Sequence, residues 1–98
     1  MRVIYHPDAE AELIGAARFY EDQVPTLGGQ FLDVADHAVR LLQAAPERFR
    51  VVEDDIRRFI MNRFPYSIYY RLLPGELRIL AICHQSRHPD YWRYRRAD

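Results

Sequence analysis

The sequence contains no lysine, so all 14 of its basic residues are arginines. It has one cysteine, Cys83, which means that no disulfide can form within the chain. No segment approaches the roughly 18–20 consecutive apolar residues of a membrane span. The N-terminus also lacks the apolar core of a signal peptide. These absences favour a cytoplasmic protein that makes no contact with membranes.

Apolar side chains are plentiful enough for a core. Of the 98 residues, 49% are hydrophobic and 13% are aromatic. A chain of this length and composition can fold as one domain without disulfides or metals. We therefore expect residues 1–98 to form a single domain.

Charge is distributed unevenly along the chain, although the formal net charge is zero. Residues 1–56 contain five arginines and eleven acids, a balance of −6, whereas residues 57–98 contain nine arginines and three acids, a balance of +6. Such segregation predicts a dipolar molecule whose basic end attracts anions. The alternative is that the two sets of charges interleave in space as ordinary surface pairs.

Apolar spacing predicts one strand and two helices in the first half. Arg2–Tyr5 is a short β-branched run. Pro7 and Asp8 then open a helix that ends at Pro25, and Thr26 is the expected N-cap of a second helix that ends before Pro46. The expected buried positions are Leu13, Ala17, Tyr20 and Val24 in the first helix, and Leu27, Phe31, Val34, Ala38, Leu41, Leu42 and Ala45 in the second.

The second half changes to a period of two, which is typical of strands. Three strands are predicted at residues 56–62, Tyr66–Leu73 and Glu76–His84, with a turn at Pro74-Gly75 between the last two. Residues 88–96 are expected to form a short helix or a packed segment. The order β-α-α-β-β-β predicts an α+β fold in which a helical hairpin packs on one face of a mainly antiparallel four-stranded sheet.

Alternation along the strands predicts which face the helices leave uncovered. The helices should cover the apolar sets, which include Cys83. The other face should carry Ser67, Tyr69, Arg71, Arg78 and His84. The turn would pair Arg71 with Arg78, Tyr69 with Leu80, and Ser67 with Ile82. Two opposed arginines repel unless an anion lies between them, so the pair indicates an anion-binding groove. Alternatively, both side chains extend into solvent or reach Glu76.

Two segments, residues 57–71 and 79–92, resemble the RelE/ParE toxin superfamily. The opening from His6 to Leu13, the Phe19-Tyr20-Glu21 that follows, and Gly28, Gly29, Phe31 and Leu32 fit the two helices of the same family. The resemblance covers nearly the whole chain, and its order of elements is the one predicted above. It implies the toxin half of a type II toxin–antitoxin module, including plasmid stabilisation systems, which a cognate antitoxin holds inactive.

Two activities occur in the superfamily. RelE-like members cut mRNA on the ribosome, whereas ParE-like members inhibit DNA gyrase without chemistry of their own. RelE-like nucleases carry an arginine at the position that Ser67 occupies here, and they are strongly basic. The ParE-like activity is therefore favoured, and the mRNA endonuclease is the alternative. A third possibility is a non-toxic interaction module, and any contact with promoter DNA would be made through the antitoxin.

The candidate residues follow from these readings. A nuclease would use Arg71, His84, Arg87 and Tyr91. The predicted residues for binding a target or an anion are Arg58, Arg63, Ser67, Tyr69, Arg71, Arg78, His84, Arg87 and Trp92. More ordinary roles are a strand-end histidine for His84 and core packing for Cys83. Solvated charge is the more ordinary role for Arg57, Arg58, Arg95 and Arg96. No cofactor or metal is predicted, because His84 and His88 have no helix to bring them together.

Overall fold

The computed structural model describes residues 1–87 and 90–97. The elements, in chain order, are β1 (Arg2–Tyr5), α1 (Pro7–Gln23), α2 (Leu27–Ala44), β2 (Val51–Glu53), β3 (Ile56–Ile60), β4 (Tyr66–Leu73), β5 (Glu76–His84) and a short C-terminal 3-10 helix (Arg93–Ala97). The α+β fold and the helical hairpin are as predicted. One strand, β2, was not predicted.

Polar side chains fix both helix starts. The Asp8 amide of α1 donates to His6 Nδ1 at 3.0 Å. Pro7 has no N–H group, so it leaves no unsatisfied donor in the first turn. Thr26 does precede α2, but it has a φ of 75° and its side chain makes no capping bond. Glu21 of α1 replaces that cap, since its carboxylate accepts from the amides of Thr26 and Gly28 at 2.9 and 3.0 Å. The two helices are thereby joined at their shared end.

The buried stripe of α2 differs in part from the predicted one. Phe31 and Leu42 are fully buried, as expected, and Val39 joins them. Val24 and Leu41 are exposed, at 52% and 39%, so their predicted burial was wrong. Val24 follows the end of α1 in extended backbone, where the helical period no longer applies.

The sheet has five strands rather than four, in the order β1-β5-β4-β3-β2. β1 is parallel to β5, and the other pairs are antiparallel. β2 is only three residues long and forms a tight hairpin with β3 through Asp54, whose φ is 50°. So short a strand has no alternating pattern to reveal it.

A β-bulge in β5 changes which side chains face the helices. Arg71 pairs with Arg78, as predicted, but Tyr70 pairs with Ile79 and Tyr69 with Ala81, so Leu80 is the extra residue. Beyond the bulge the faces exchange, and Ser67 pairs with Cys83 rather than Ile82. Ile82 belongs to the core beneath the helices, whereas Cys83 belongs to the core on the opposite face. The predicted placement of Cys83 in the helical layer is therefore wrong.

The opposite face is not uncovered, because the C-terminal segment packs on it. We call residues 90–97 the tail. Trp92, 3% exposed, stacks on Tyr69 with ring centroids 4.7 Å apart. A second core of Ile56, Tyr69, Leu80, Ala81, Cys83 and Trp92 lies between the tail and the sheet. The tail therefore forms a third layer.

The predicted basic end does not exist in space. Arginines of the second half pair with acids of the first half, with short contacts in Arg71–Asp55, Arg93–Glu53, Arg95–Glu12 and Arg96–Glu53. Arg71 also donates to the carbonyl of Arg96 at 2.6 Å, and Arg78 pairs with Glu76 at 2.6 Å. The Arg71–Arg78 repulsion is thus offset by carboxylates, and the inference of an anion groove between them fails.

Candidate functional site

A cavity of about 350 Å³ opens on the tail side of the sheet, between the ends of β3, β4 and β5. We call it the sheet-face cavity. Its lining residues are Arg58, Ile60, Ser67, Tyr69, Cys83, His84, Gln85 and Arg87. Five of the predicted binding residues are among them, and no carboxylate is.

Arg58 and Ser67 are the two polar side chains that the strands themselves contribute. Arg58 lies opposite Tyr69 in the β3–β4 pair, and Ser67 lies opposite Ile60 on one side and Cys83 on the other. The half-buried side chain of Arg58 makes no hydrogen bond or ion pair with any described residue. Ser67 is 7% exposed, and its hydroxyl also has no partner among the described residues. Both groups can donate to a ligand.

His84 is held in one orientation at the end of β5. Its Nδ1 accepts from the Ser86 amide at 3.0 Å and lies 2.7 Å from the Ser86 hydroxyl. The neutral ring therefore carries its proton on Nε2, which can donate but cannot accept a proton. This arrangement suits a strand-end histidine and opposes a general base at Nε2.

Arg87 forms the outer wall of the cavity. Its guanidinium stacks on the Tyr91 ring, 3.7 Å from the centroid, and lies 3.6 Å from a Glu12 oxygen. Glu12 binds Arg95 more closely, at 2.8 Å, so Arg87 is only loosely neutralised. Burial raises the pKa of the Tyr91 phenol far above its ordinary value, and Glu12 raises it further. Tyr91 is therefore a poor proton donor for a leaving group.

Four predicted binding residues do not line the cavity. Arg63 contacts the helical layer, where it donates to Gln30 at 2.8 Å. Arg71 and Arg78 lie on the tail side but toward the opposite end of their strands, in the ion pairs already described. Trp92 lines a smaller cavity of about 160 Å³, which shares Arg58 and Tyr69 with the larger one.

Glu12 has a role that sequence reasoning missed. Its carboxylate binds the 4%-exposed Arg95 through two nitrogens and accepts from the Ile82 amide at 3.1 Å. Arg95 also donates to the Leu80 carbonyl at 3.1 Å. Because β1 pairs with β5 only as far as Ile79, these side chains satisfy the backbone of the unpaired edge. Sequence analysis assigned no contact to Glu12 and interpreted Arg95 as solvated charge.

An apolar groove lies on the outer face of the helical hairpin. Its volume is about 320 Å³, and it is lined by Ile14, Ala17, Arg18, Glu21, Gly28, Gly29 and Leu32. Gly28 lets the helices approach closely, because a Cβ there would lie 2.4 Å from the Ala17 carbonyl oxygen. Ile14 and Leu32 are 43% and 40% exposed. A groove of this kind is suited to an amphipathic peptide segment.

The described residues offer neither a cluster of metal ligands nor a membrane-spanning helix. Residues 1–87 and 90–97 contain no group of three or more histidine, cysteine or acidic side chains that could hold a metal ion. His88, which was considered above together with His84 as a possible metal ligand, lies outside the described residues. Over the same ranges, neither helix is long and apolar enough to cross a membrane.

Comparison with known proteins defines the class. Residues 3–89 match the model of the ParE toxin of the type II toxin–antitoxin system, parDE. Because the match spans most of the 98 residues, the chain belongs to the ParE toxin family. This confirms the predicted resemblance and its ParE-like branch.

A solved structure agrees with this fold. It is described as the chromosomal ParDE TA system from P. aeruginosa, and it superposes with a TM-score of 0.77 over 86% of this chain and 95% of that chain, at 23% identity. At this identity the likeness shows the fold alone. A search of curated proteins found no match.

Proposed function

We propose that this ParE-family toxin inhibits DNA gyrase and that a cognate antitoxin neutralises it. The match to the ParE toxin model over residues 3–89 carries the proposal. Gyrase as the target comes from the resemblance described above, in which ParE-like members inhibit gyrase without catalysis.

The geometry supports binding over RNA cleavage. Of the four nuclease candidates, Arg71 is engaged by Asp55 and the Arg96 carbonyl. His84 presents a donor at Nε2, and the phenol of Tyr91 has a raised pKa. Ser67 stands where the resemblance places the arginine of a nuclease. Among these described residues, no general base is thus paired with a general acid for cleavage of a phosphodiester.

The antitoxin part of the proposal has support of its own. The apolar groove on the helical hairpin leaves Ile14 and Leu32 half-exposed beside Gly29, where an added Cβ would meet nothing within 4 Å. An apolar segment of the antitoxin that covers these side chains would remove them from water.

The test uses purified toxin, DNA gyrase and negatively supercoiled plasmid. We expect loss of supercoiling activity together with accumulation of linear DNA, the product of a trapped cleavage complex. Addition of the antitoxin encoded beside the toxin gene should restore supercoiling. Unaffected gyrase, combined with cut transcripts in a translating extract, would replace this proposal with the mRNA endonuclease. No effect in either assay, and no growth arrest on induction, would leave the non-toxic interaction module.

A further inference from the structure

Two second-half arginines that are not closely matched by acids, Arg58 and Arg87, line the sheet-face cavity. Arg93, Arg95 and Arg96 each have a carboxylate oxygen within 3.0 Å. Arg58 has no such partner among the described residues, and Arg87 has only the looser contact with Glu12. In a chain with zero net charge, this local excess of positive charge favours an anion.

Two residues with neutral donors, Ser67 and His84, line the same cavity. Ser67 is 7% exposed, and its hydroxyl has no partner among the described residues. The bonds from Ser86 to Nδ1 leave the proton of the neutral His84 ring on Nε2. The lining therefore combines two cations with two neutral donors and contains no carboxylate.

The arrangement of the donors fits a tetrahedral oxyanion better than a planar carboxylate. Arg58 comes from β3, Ser67 from β4, and His84 and Arg87 from the end of β5 and the turn after it. Neighbouring strands are about 4.8 Å apart. Arg58 is two residues from Ile60, the β3 partner of Ser67, and the β5 residues lie on the other side of β4. Guanidinium groups bind phosphate oxygens in pairs, and a tetrahedral ion offers oxygens to several sides at once.

We propose that the sheet-face cavity is a phosphate-binding site, formed by Arg58, Ser67, His84 and Arg87. At about 350 Å³ the cavity is near the lower end of ligand pockets, which start at about 300 Å³. It accepts a phosphodiester with part of its sugar, or a free phosphate. The site is independent of whether gyrase is the target.

The experiment measures binding to the full-length chain without gyrase or antitoxin. Backbone amide shifts are followed by NMR during titration with inorganic phosphate, with acetate and with a short oligothymidylate. We expect phosphate to shift amides at Ser67 and His84 saturably and acetate to leave them unchanged. Arg58→Gln should weaken phosphate binding at least about tenfold, the effect of losing one charge-assisted hydrogen bond.

Arg40→Gln is the matched control, because Arg40 is an exposed residue of α2 that pairs with Asp36 and does not line the cavity. It removes the same charge and should leave phosphate binding unchanged. Ser67→Ala gives a second variant with little change in volume and should also weaken binding. The fold is checked from the amide spectrum of each variant.

The two sources of phosphate are separated by the oligothymidylate. Binding of the oligonucleotide that Arg58→Gln weakens identifies a nucleic acid backbone, whereas binding of inorganic phosphate alone identifies a free phosphate. The proposal is overturned if neither binds, if acetate binds as tightly as phosphate, or if Arg40→Gln weakens binding as much as Arg58→Gln. Acetate binding would point to a carboxylate of a protein partner.

Discussion

Glu12 connects three parts of the molecule through one carboxylate. It lies in α1, binds Arg95 of the tail and accepts from the backbone of β5. The side chains of Glu12 and Arg95 are 14% and 5% exposed, so the pair is shielded from water. Breaking one partner of a shielded pair leaves an uncompensated charge.

Glu12→Gln should therefore destabilise the protein by about 3 kcal/mol, since the buried Arg95 guanidinium loses its counter-ion. The measurement is the midpoint and slope of urea unfolding. Asp36→Asn is the matched control, because it removes an acid from an exposed i,i+4 pair with Arg40 and should cost about 0.5 kcal/mol or less. Equal losses of unfolding free energy in the two variants would show that the Glu12–Arg95 pair stabilises the protein no more than an exposed ion pair does.

Residue-level reasoning from the sequence grouped four residues that line one cavity, and their role in binding stays a prediction. It placed Arg58, Ser67, His84 and Arg87 among the binding candidates, and the structure brings these four together. It missed Glu12, which meets Arg95 only after 83 residues of intervening chain have folded. Neither residue carries a local signal of that contact.

At the scale of elements, the β-bulge at Leu80 decides what each face of β5 presents. Strand alternation predicted the faces correctly from Glu76 to Leu80 and failed from Ala81 onward, because one extra residue exchanges the two faces. Nothing in the apolar run from Ile79 to Cys83 marks the bulge. The tail covers the face that alternation assigned to solvent. The apolar side chain of Leu80, predicted on that face, was an indication that the face is covered.

The position of Cys83 gives a direct test of the bulge. Burial raises the pKa of its thiol, so reaction with a thiol reagent at pH 8 should be slow in the native protein. Trp92→Ala should expose Cys83, accelerate the reaction and cost about 3–5 kcal/mol, because Trp92 belongs to the same buried cluster.

The control for that test is Leu42→Ala. Leu42 is fully buried in the core beneath the helices, and its truncation should cost about 2–5 kcal/mol without uncovering Cys83. The rate of Cys83 modification is compared under native conditions. If Leu42→Ala accelerated modification and Trp92→Ala did not, Cys83 would lie in the helical layer and the bulge would be refuted.

At the scale of the whole molecule, folding converts a charge-segregated chain into an interleaved surface. The balances of −6 and +6 are properties of the chain order, whereas the ion pairs of Arg71, Arg93, Arg95 and Arg96 join the two halves. The tail makes most of these contacts, so its position determines the charge pattern. The charge balance along the sequence does not show which arginine pairs with which acid. The family and the order of the elements could be predicted, because they depend on local motifs.

Buried tyrosines in several elements give the whole molecule a defined sensitivity to alkali. Burial raises the pKa values of Tyr5, Tyr66, Tyr70 and Tyr91 above the ordinary value of 10.0. In the unfolded chain these phenols ionise near 10.0, whereas in the folded protein they stay neutral at that pH. Their contribution to stability is thus fully present below pH 10 and is lost as pH rises above it.

We expect the free energy of unfolding to fall steadily above pH 10, and absorbance at 295 nm to show these tyrosines ionising together with unfolding. Tyr70→Phe keeps the ring, loses the hydrogen bond from the phenol to the Pro46 carbonyl, and should make the alkaline slope shallower. A slope unchanged in that variant would show that Tyr70 is not among the groups that titrate on unfolding.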